Sequence, residues 1–427
     1  MKLFGGLFFV IVIVIVIAIV VFGWLSSGPG LDTSVGEKPQ PPFNAELVKP
    51  VKRHYEPVSE RHFKKPQVEP VLLPDVGRTD VSWGSVGNDP AGNIYVGLAE
   101  SYGDPRSAHL LKVNAAGQPA VMGDVVSELR REGIGSASQS QGKIHSQIVA
   151  ANDGYLYFSS FDEAGETDVR LPDYGGHLWR VNNQSGQWEH LFATPEALIA
   201  VNTDGRYIYA LGYWGHVLYQ YDTQSAKVNK IEVGSVPGHV SRQFLVDGKG
   251  HVYVPKVSQS GINEEPSAML VEFDQNLNPV TQYPLPDYQS QDMTRYRGII
   301  GYTNMRNGDV YFTLGQGYLL QVQANESGAE KLINHGLFNP AGEANIPSLF
   351  TVDGEQFVMG VSRRSGTDPE WLIYEKISGA TVNYAMPELK DFLFFGTEAK
   401  DTAGNFYLVG RDKKTRKPKV VKLTFPQ

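Results

Sequence analysis

Short apolar runs separated by turns dominate the chain. From residue 81 onward a phrase recurs: a turn with glycine, one or two residues, then an apolar stretch ending in an aromatic. AGNIYVG, DGYLYFS, DGRYIYALG, KGHVYVP, NGDVYFTLG, DGEQFVMG and AGNFYLVG carry it at Gly92, Gly154, Gly205, Gly250, Gly308, Gly354 and Gly404. Successive turn glycines stand 45 to 62 residues apart. Asp-Gly or Asn-Gly between apolar runs is a strong hairpin signal, because glycine accepts the positive φ that the turn requires. A further apolar strand follows each phrase, such as HLLKV from His109, HLWRV from His177 and WLIYEK from Trp371. A more variable fourth strand follows most of these. Four strands per repeat of this length is the arithmetic of a propeller blade. The pattern predicts an all-β, seven-bladed β-propeller.

The last repeat stops after its third strand. An open ring would leave an unpaired sheet edge. The segment VEPVLL at 68–73 is placed to supply the missing outer strand, so the ring is predicted to be closed by an N-terminal strand. The propeller then spans residues 67–427.

The N-terminus reads differently. Residues 3–25 carry no charge. As a helix this stretch would span roughly 30 Å, the thickness of a bilayer core. Residues 1–27 are therefore read as one uncleaved transmembrane signal anchor, with Trp24 at the interface. The propeller is expected on the periplasmic or extracellular side of the cytoplasmic membrane. Residues 28–66 form a Pro-rich linker whose second half, LVKPVKRHYEPVSERHFKKP, is basic; it reads as a solvated tether.

Composition narrows the function. The 38 Lys and Arg against 46 Asp and Glu leave a net charge of −8, which argues against a nucleic-acid partner. With no cysteine, thiol nucleophiles and zinc–thiolate sites are excluded. No P-loop, Rossmann glycine pattern or HExxH is present.

Blade topology selects candidate residues. Side chains just before a first strand, between second and third strands, or after a fourth strand converge on one face of the ring, where loops held by a scaffold carry function. His145 opens the first strand of blade 2, and His177 opens its third. Tyr213, Trp214 and His216 lie in the blade 3 turn GYWGH. His239 and Arg242 open blade 4, and Arg295, Tyr296 and Arg297 open blade 5. Arg363 and Arg364 follow the second strand of blade 6, and Glu398 lies near the first strand of blade 7. His251 falls at the opposite end. Each has a plain structural reading as core, cap or solvated loop; it is the joint placement that suggests a ligand site.

No Ser-His-Asp order or close carboxylate pair stands out. A His, Tyr and Arg set suits β-elimination from a uronate: Arg neutralises the carboxylate, a neutral His takes the adjacent proton, and Tyr or a second His protonates the departing oxygen. The motifs GKIHSQ, YGGHLWR and GHVSRQF resemble those of seven-bladed propeller polysaccharide lyases that cleave ulvan, and more distantly the propeller oligogalacturonate lyases. That resemblance implies that His145 and His177 are the cleft histidines and Arg242 the carboxylate-neutralising arginine. Tyr213 is chosen as the tyrosine by geometry. Trp214, His216, His239, Arg295 and Arg297 are then expected to bind substrate, an acidic polysaccharide or oligosaccharide. No cofactor is required; a divalent metal ion held by His145, His177, His216 and His239 is the metal-bearing alternative. The anchor and the long insert at 162–174 depart from the secreted lyases. The competing class is a non-catalytic propeller that binds a protein or glycan at the membrane.

Overall fold

The computed structural model describes residues 65–427, apart from 135–139, 167–174, 214, 260–265, 286–287, 289–297, 353–354, 397 and 426–427, together with Lys49–Pro50. The expected N-terminal anchor at 3–25 and the blade 6 turn glycine Gly354 lie outside the described residues. Among the described residues, no helix is long and apolar enough to cross a membrane.

Seven antiparallel sheets follow one another along the chain. Blade 3 shows the pattern, with Leu198–Thr203, Tyr207–Gly212, Val217–Asp222 and Val228–Glu232 from the inside outward. Blade 7 has only three strands of its own, and its fourth is Gln67–Val71, paired antiparallel with Pro418–Thr424 from Gln67↔Thr424 to Val71↔Val420. The ring is thus closed by the N-terminal strand. Blade 5 gains a short fifth strand, Lys49–Pro50, parallel to its outer strand.

The core is a set of layers between blades. Phe350, Phe357 and Trp371 of blade 6 meet Phe392, Phe406 and Leu408 of blade 7, and comparable layers join each neighbouring pair around the ring. A blade therefore buries both faces of its inner strands. This is why those strands read as continuous apolar runs rather than alternating ones. The fourth strand faces solvent on one side, and its burial alternates, as in Val228–Glu232.

One feature departs from the simple blade. In blade 2 the inner strand is split into Lys143–Ile144 and Val149–Ala150, both paired with Tyr155–Phe161. Ile144 faces Ser160 and Val149 faces Tyr157, so residues 145–148 oppose only Ser159 and Phe158. Blade 1 repeats this between Val81↔Ala99 and Val86↔Val96, and blade 7 between Phe395↔Val409 and Lys400↔Phe406. Extra residues of this kind bend a strand and re-aim its side chains. The bulges of blades 1 and 7 also touch. A Cβ on Gly84 would lie 2.9 Å from the backbone nitrogen of Gly396, and both glycines hold a φ of +107°. Only glycine suits either position.

Candidate functional site

The bulges deliver side chains to the axis of the ring. Trp83 comes from the blade 1 bulge, His145 from that of blade 2, and Phe395 from the edge of the blade 7 bulge. Trp83 and Phe395 pack at 5.3 Å between ring centroids. Arg242, in the segment leading into blade 4, reaches across to them. Its guanidinium lies 4.9 Å from the Phe395 ring, and its Nη1 donates to the Trp83 carbonyl at 3.2 Å. The same Nη1 is 3.3 Å from His145 Nε2. His145 Nδ1 faces the Ile199 carbonyl at 3.3 Å. A carbonyl can only accept, so Nδ1 carries the proton and Nε2 presents its lone pair to Arg242.

Two further cations complete this basin. Lys143 Nζ sits 5.6 Å from the Trp83 ring and 5.8 Å from Phe161, and it pairs with Glu163 at 3.3 Å. Arg363 stacks over Phe394 and Phe395 at 5.0 and 5.3 Å, and its Nη2 donates to Asn345 Oδ1 at 2.7 Å. Guanidinium groups stacked on aromatic faces lose little freedom and keep their edge donors for a partner. Arg242, Arg363 and Trp83 are half-buried, and His145 beneath them is buried. Burial holds His145 well below the usual histidine range, reinforced by the charges of Arg242 and Lys143. It is neutral at pH 7.

The other candidates fall in several places. His177 is fully buried on Gly176–Asn182; its Nδ1 meets His190 Nε2 at 2.9 Å, and Trp179 packs beside it. Burial lowers its pKa to about 3. Tyr213 is buried in the layer between blades 3 and 4, edge-on to Phe161 at 6.3 Å. Phe161 in turn lies 6.1 Å from the His145 ring. His216 and His239 pack with ring centroids 4.4 Å apart, tilted by 40°. His216 Nδ1 donates to the Pro255 carbonyl at 2.9 Å; His239 bonds Ser235 Oγ through Nδ1 and the Tyr288 hydroxyl through Nε2, each at 2.5 Å. Arg364 is held by Glu370 at 3.1 Å beside Arg363. Glu398 turns to the far end of the channel, where Thr303 donates to it. His251, at the opposite end of its blade, pairs with Glu272 at 2.6 Å. Trp214, Arg295, Tyr296 and Arg297 lie outside the described residues.

Among the described residues, no three metal-ligating side chains converge. Both nitrogens of His145 and both of His239 are engaged, and the charge of Arg242 beside His145 Nε2 opposes a cation there.

Trp83, Lys143, Phe161, Asn345 and Phe395 were not among the sequence candidates. Two had a signal. Lys143 is two residues from His145 in GKIHSQ, and Trp83 stands just before the blade 1 inner strand, where the same topological rule applies.

Comparison with known proteins bears on the fold. The extracellular domain of BT4673 from B. thetaiotaomicron is similar at 14% identity and a TM-score of 0.51, over 84% of this chain and 40% of that one. The chain thus spans about two fifths of that structure's length. YCF48, solved bound to D1 peptide, is similar at 8% identity and a TM-score of 0.52, over 86% of this chain and 97% of that one. U3-55K is similar at 11% identity and a TM-score of 0.51, over 84% and 99%. At such identities the likeness is one of fold. No protein-family model matches the sequence. No curated protein matches it.

Proposed function

We propose that the chain is a membrane-anchored, extracytoplasmic polysaccharide lyase that binds a uronate-containing glycan in the basin and cleaves it by β-elimination. The observation that carries this reading is the contact between Arg242 and neutral His145, brought from blades 4 and 2 to one half-buried, aromatic-walled site. The likeness of GKIHSQ and GHVSRQF to the ulvan-cleaving propellers supports it.

A uronate carboxylate entering the basin takes up the donors of Arg242 in a bidentate contact. This acidifies the carbon that bears the carboxylate. It also draws Nη1 from His145 Nε2, freeing the lone pair for that carbon's proton. The electron pair left behind forms a carbon–carbon double bond, and the bond from the neighbouring carbon to the glycosidic oxygen breaks. The oxygen leaves with that pair and takes a proton from Lys143, which shares the Phe161 ring with His145. Tyr213 acts from behind by bracing Phe161, while His177, enclosed beside His190, takes no part in the step.

The second reading is a propeller that binds an acidic glycan without cleaving it. It is favoured by the burial of His177 and Tyr213, which places neither side chain in the basin. The full chain in detergent, incubated with polyglucuronate or alginate, separates the two. The lyase reading expects rising ultraviolet absorbance from the unsaturated product, abolished in His145→Ala with the fold intact by circular dichroism. An unchanged rate in His145→Ala sinks the assignment of the base. Retention of the polysaccharide with no absorbance change leaves binding alone.

A further inference from the structure

A cleft of about 410 Å³ opens between blades 5 and 6, at the same end of the ring as the basin. It lies among Gln316, just after the second strand of blade 5, Glu343 and Asn345 at the start of blade 6, and Arg363, Arg364 and Ser365 after its second strand. Its volume falls within the range of roughly 300–1,000 Å³ usual for small-ligand sites. Arg363 belongs to both places: its guanidinium stacks on Phe394 and Phe395 of the basin while it lines the cleft.

The cleft wall offers donors and acceptors of the kind a sugar uses. Gln316 Oε1 is buried and has no hydrogen-bond partner among the described residues, although the Gln316 carbonyl is pinned by the Ala344 amide at 3.0 Å. A buried acceptor with no donor among the described residues is costly unless a ligand hydroxyl fills it. Glu343 is a second, exposed acceptor. Arg364 is fixed by Glu370 and by the Ala341 carbonyl at 3.3 Å. Tyr288, at the cleft wall, is held through its hydroxyl by the buried Ser235–His239 pair. Arg364 and Tyr288 are thus preorganised, the charge of Arg364 is offset by Glu370, and Glu343 adds a negative charge to the wall. The cleft therefore differs from the strongly cationic basin.

We propose that this cleft is a second saccharide subsite, which takes the sugar next to the one held in the basin, with Arg363 shared between them. The proposal rests on the acidic-glycan reading of the basin. Titration calorimetry on the full chain in detergent, with glucuronate and its oligomers of two to six residues, tests it. The expected result is a clear gain in affinity from the monosaccharide to the oligomers. Gln316→Ala should reduce that gain roughly tenfold, as loss of a hydrogen bond from a buried partner would. Ser365→Trp, at an exposed position on the cleft wall, should block the cleft and remove the gain. In both variants binding of the monosaccharide should be unchanged. A gain that persists in both variants, or a wild type that binds glucuronate without any gain from length, overturns the subsite and leaves the basin reading in place. A wild type that binds no member of the series overturns the basin reading, and the subsite with it.

Discussion

The channel through the ring has two ends built from the same inner strands, and they differ in chemistry. At the end where those strands begin, Lys143, Arg242 and Arg363 lie against Trp83, Phe161 and Phe395. At the end where they finish, a cavity of about 270 Å³ is lined by Asn88, Asn202, Thr303 and Asn304, with Glu398 and Lys400 as its charges. One bulge serves both: His145 faces Arg242 at the upper end, while Gln147, two residues on, accepts from Tyr302 toward the lower one. In blade 7, Phe395 serves the basin and Glu398 the lower cavity. Extra residues in a strand thus do more than bend it; they let neighbouring positions address opposite ends of the axis. The basin combines stacked cations with a neutral imidazole. The lower cavity combines amides and hydroxyls with a carboxyl group whose pKa burial raises.

The largest expected effect comes from Arg242→Ala. On the lyase reading proposed above, loss of this guanidinium should lower turnover of uronate polymers by about 10² to 10³-fold, with the fold retained. Steady-state rates by ultraviolet absorbance measure it. If Glu398→Gln at the other end matches that loss, the distinction between the two ends collapses.

Acid should weaken the basin end next. His145, His177, His216 and His239 are all held neutral by burial, with pKa values lowered to about 3 for His177 and about 4 for His216. Below pH 6.5 the unfolded chain takes up protons that the folded chain refuses. Stability therefore falls as pH falls, by up to about 1.4 kcal/mol per pH unit for each histidine, until the folded-state values are reached. Guanidinium melts between pH 7 and pH 5 should show this descent, and a flat profile would mean that these rings are not sealed from water.

Glu398→Gln should give the smallest change, and one of opposite sign. With a raised folded-state value, the unfolded chain releases its proton first as pH rises above about 4.5. Ionisation then favours unfolding, and stability declines across that window. The glutamine variant should lose this decline and melt slightly higher at pH 7, with glycan binding unchanged. A lower melting point would show instead that the contacts with Thr303 and Lys400 outweigh burial.

Much of this was legible without coordinates. The spacing of Gly92, Gly154, Gly205 and the later turn glycines is a local signal, set by hairpin geometry, and it predicted seven blades. The strand at 68–73 followed from the need to close an edge, and the observed Gln67–Val71 fills it. His145 and Arg242 followed from blade topology. The bulges were not legible, because HSQI and SWGS read equally well as the opening of a regular strand. Nor could Phe395 be separated from packing aromatics such as Phe392 and Phe394, since an apolar run does not say which member faces the axis.

The sequence by itself determined the repeat and the all-β class, because turn chemistry and strand periodicity act over a few residues; it did not determine the end to which a residue in a bulge belongs, and Glu398, expected at the basin, lies at the other end. Only the tertiary structure decided that His145 and Arg242, 97 residues apart, touch, while His177 is enclosed beside His190. Contacts across the axis depend on how far each bulge turns its side chains inward once the ring has closed, and no short-range pattern encodes that distance.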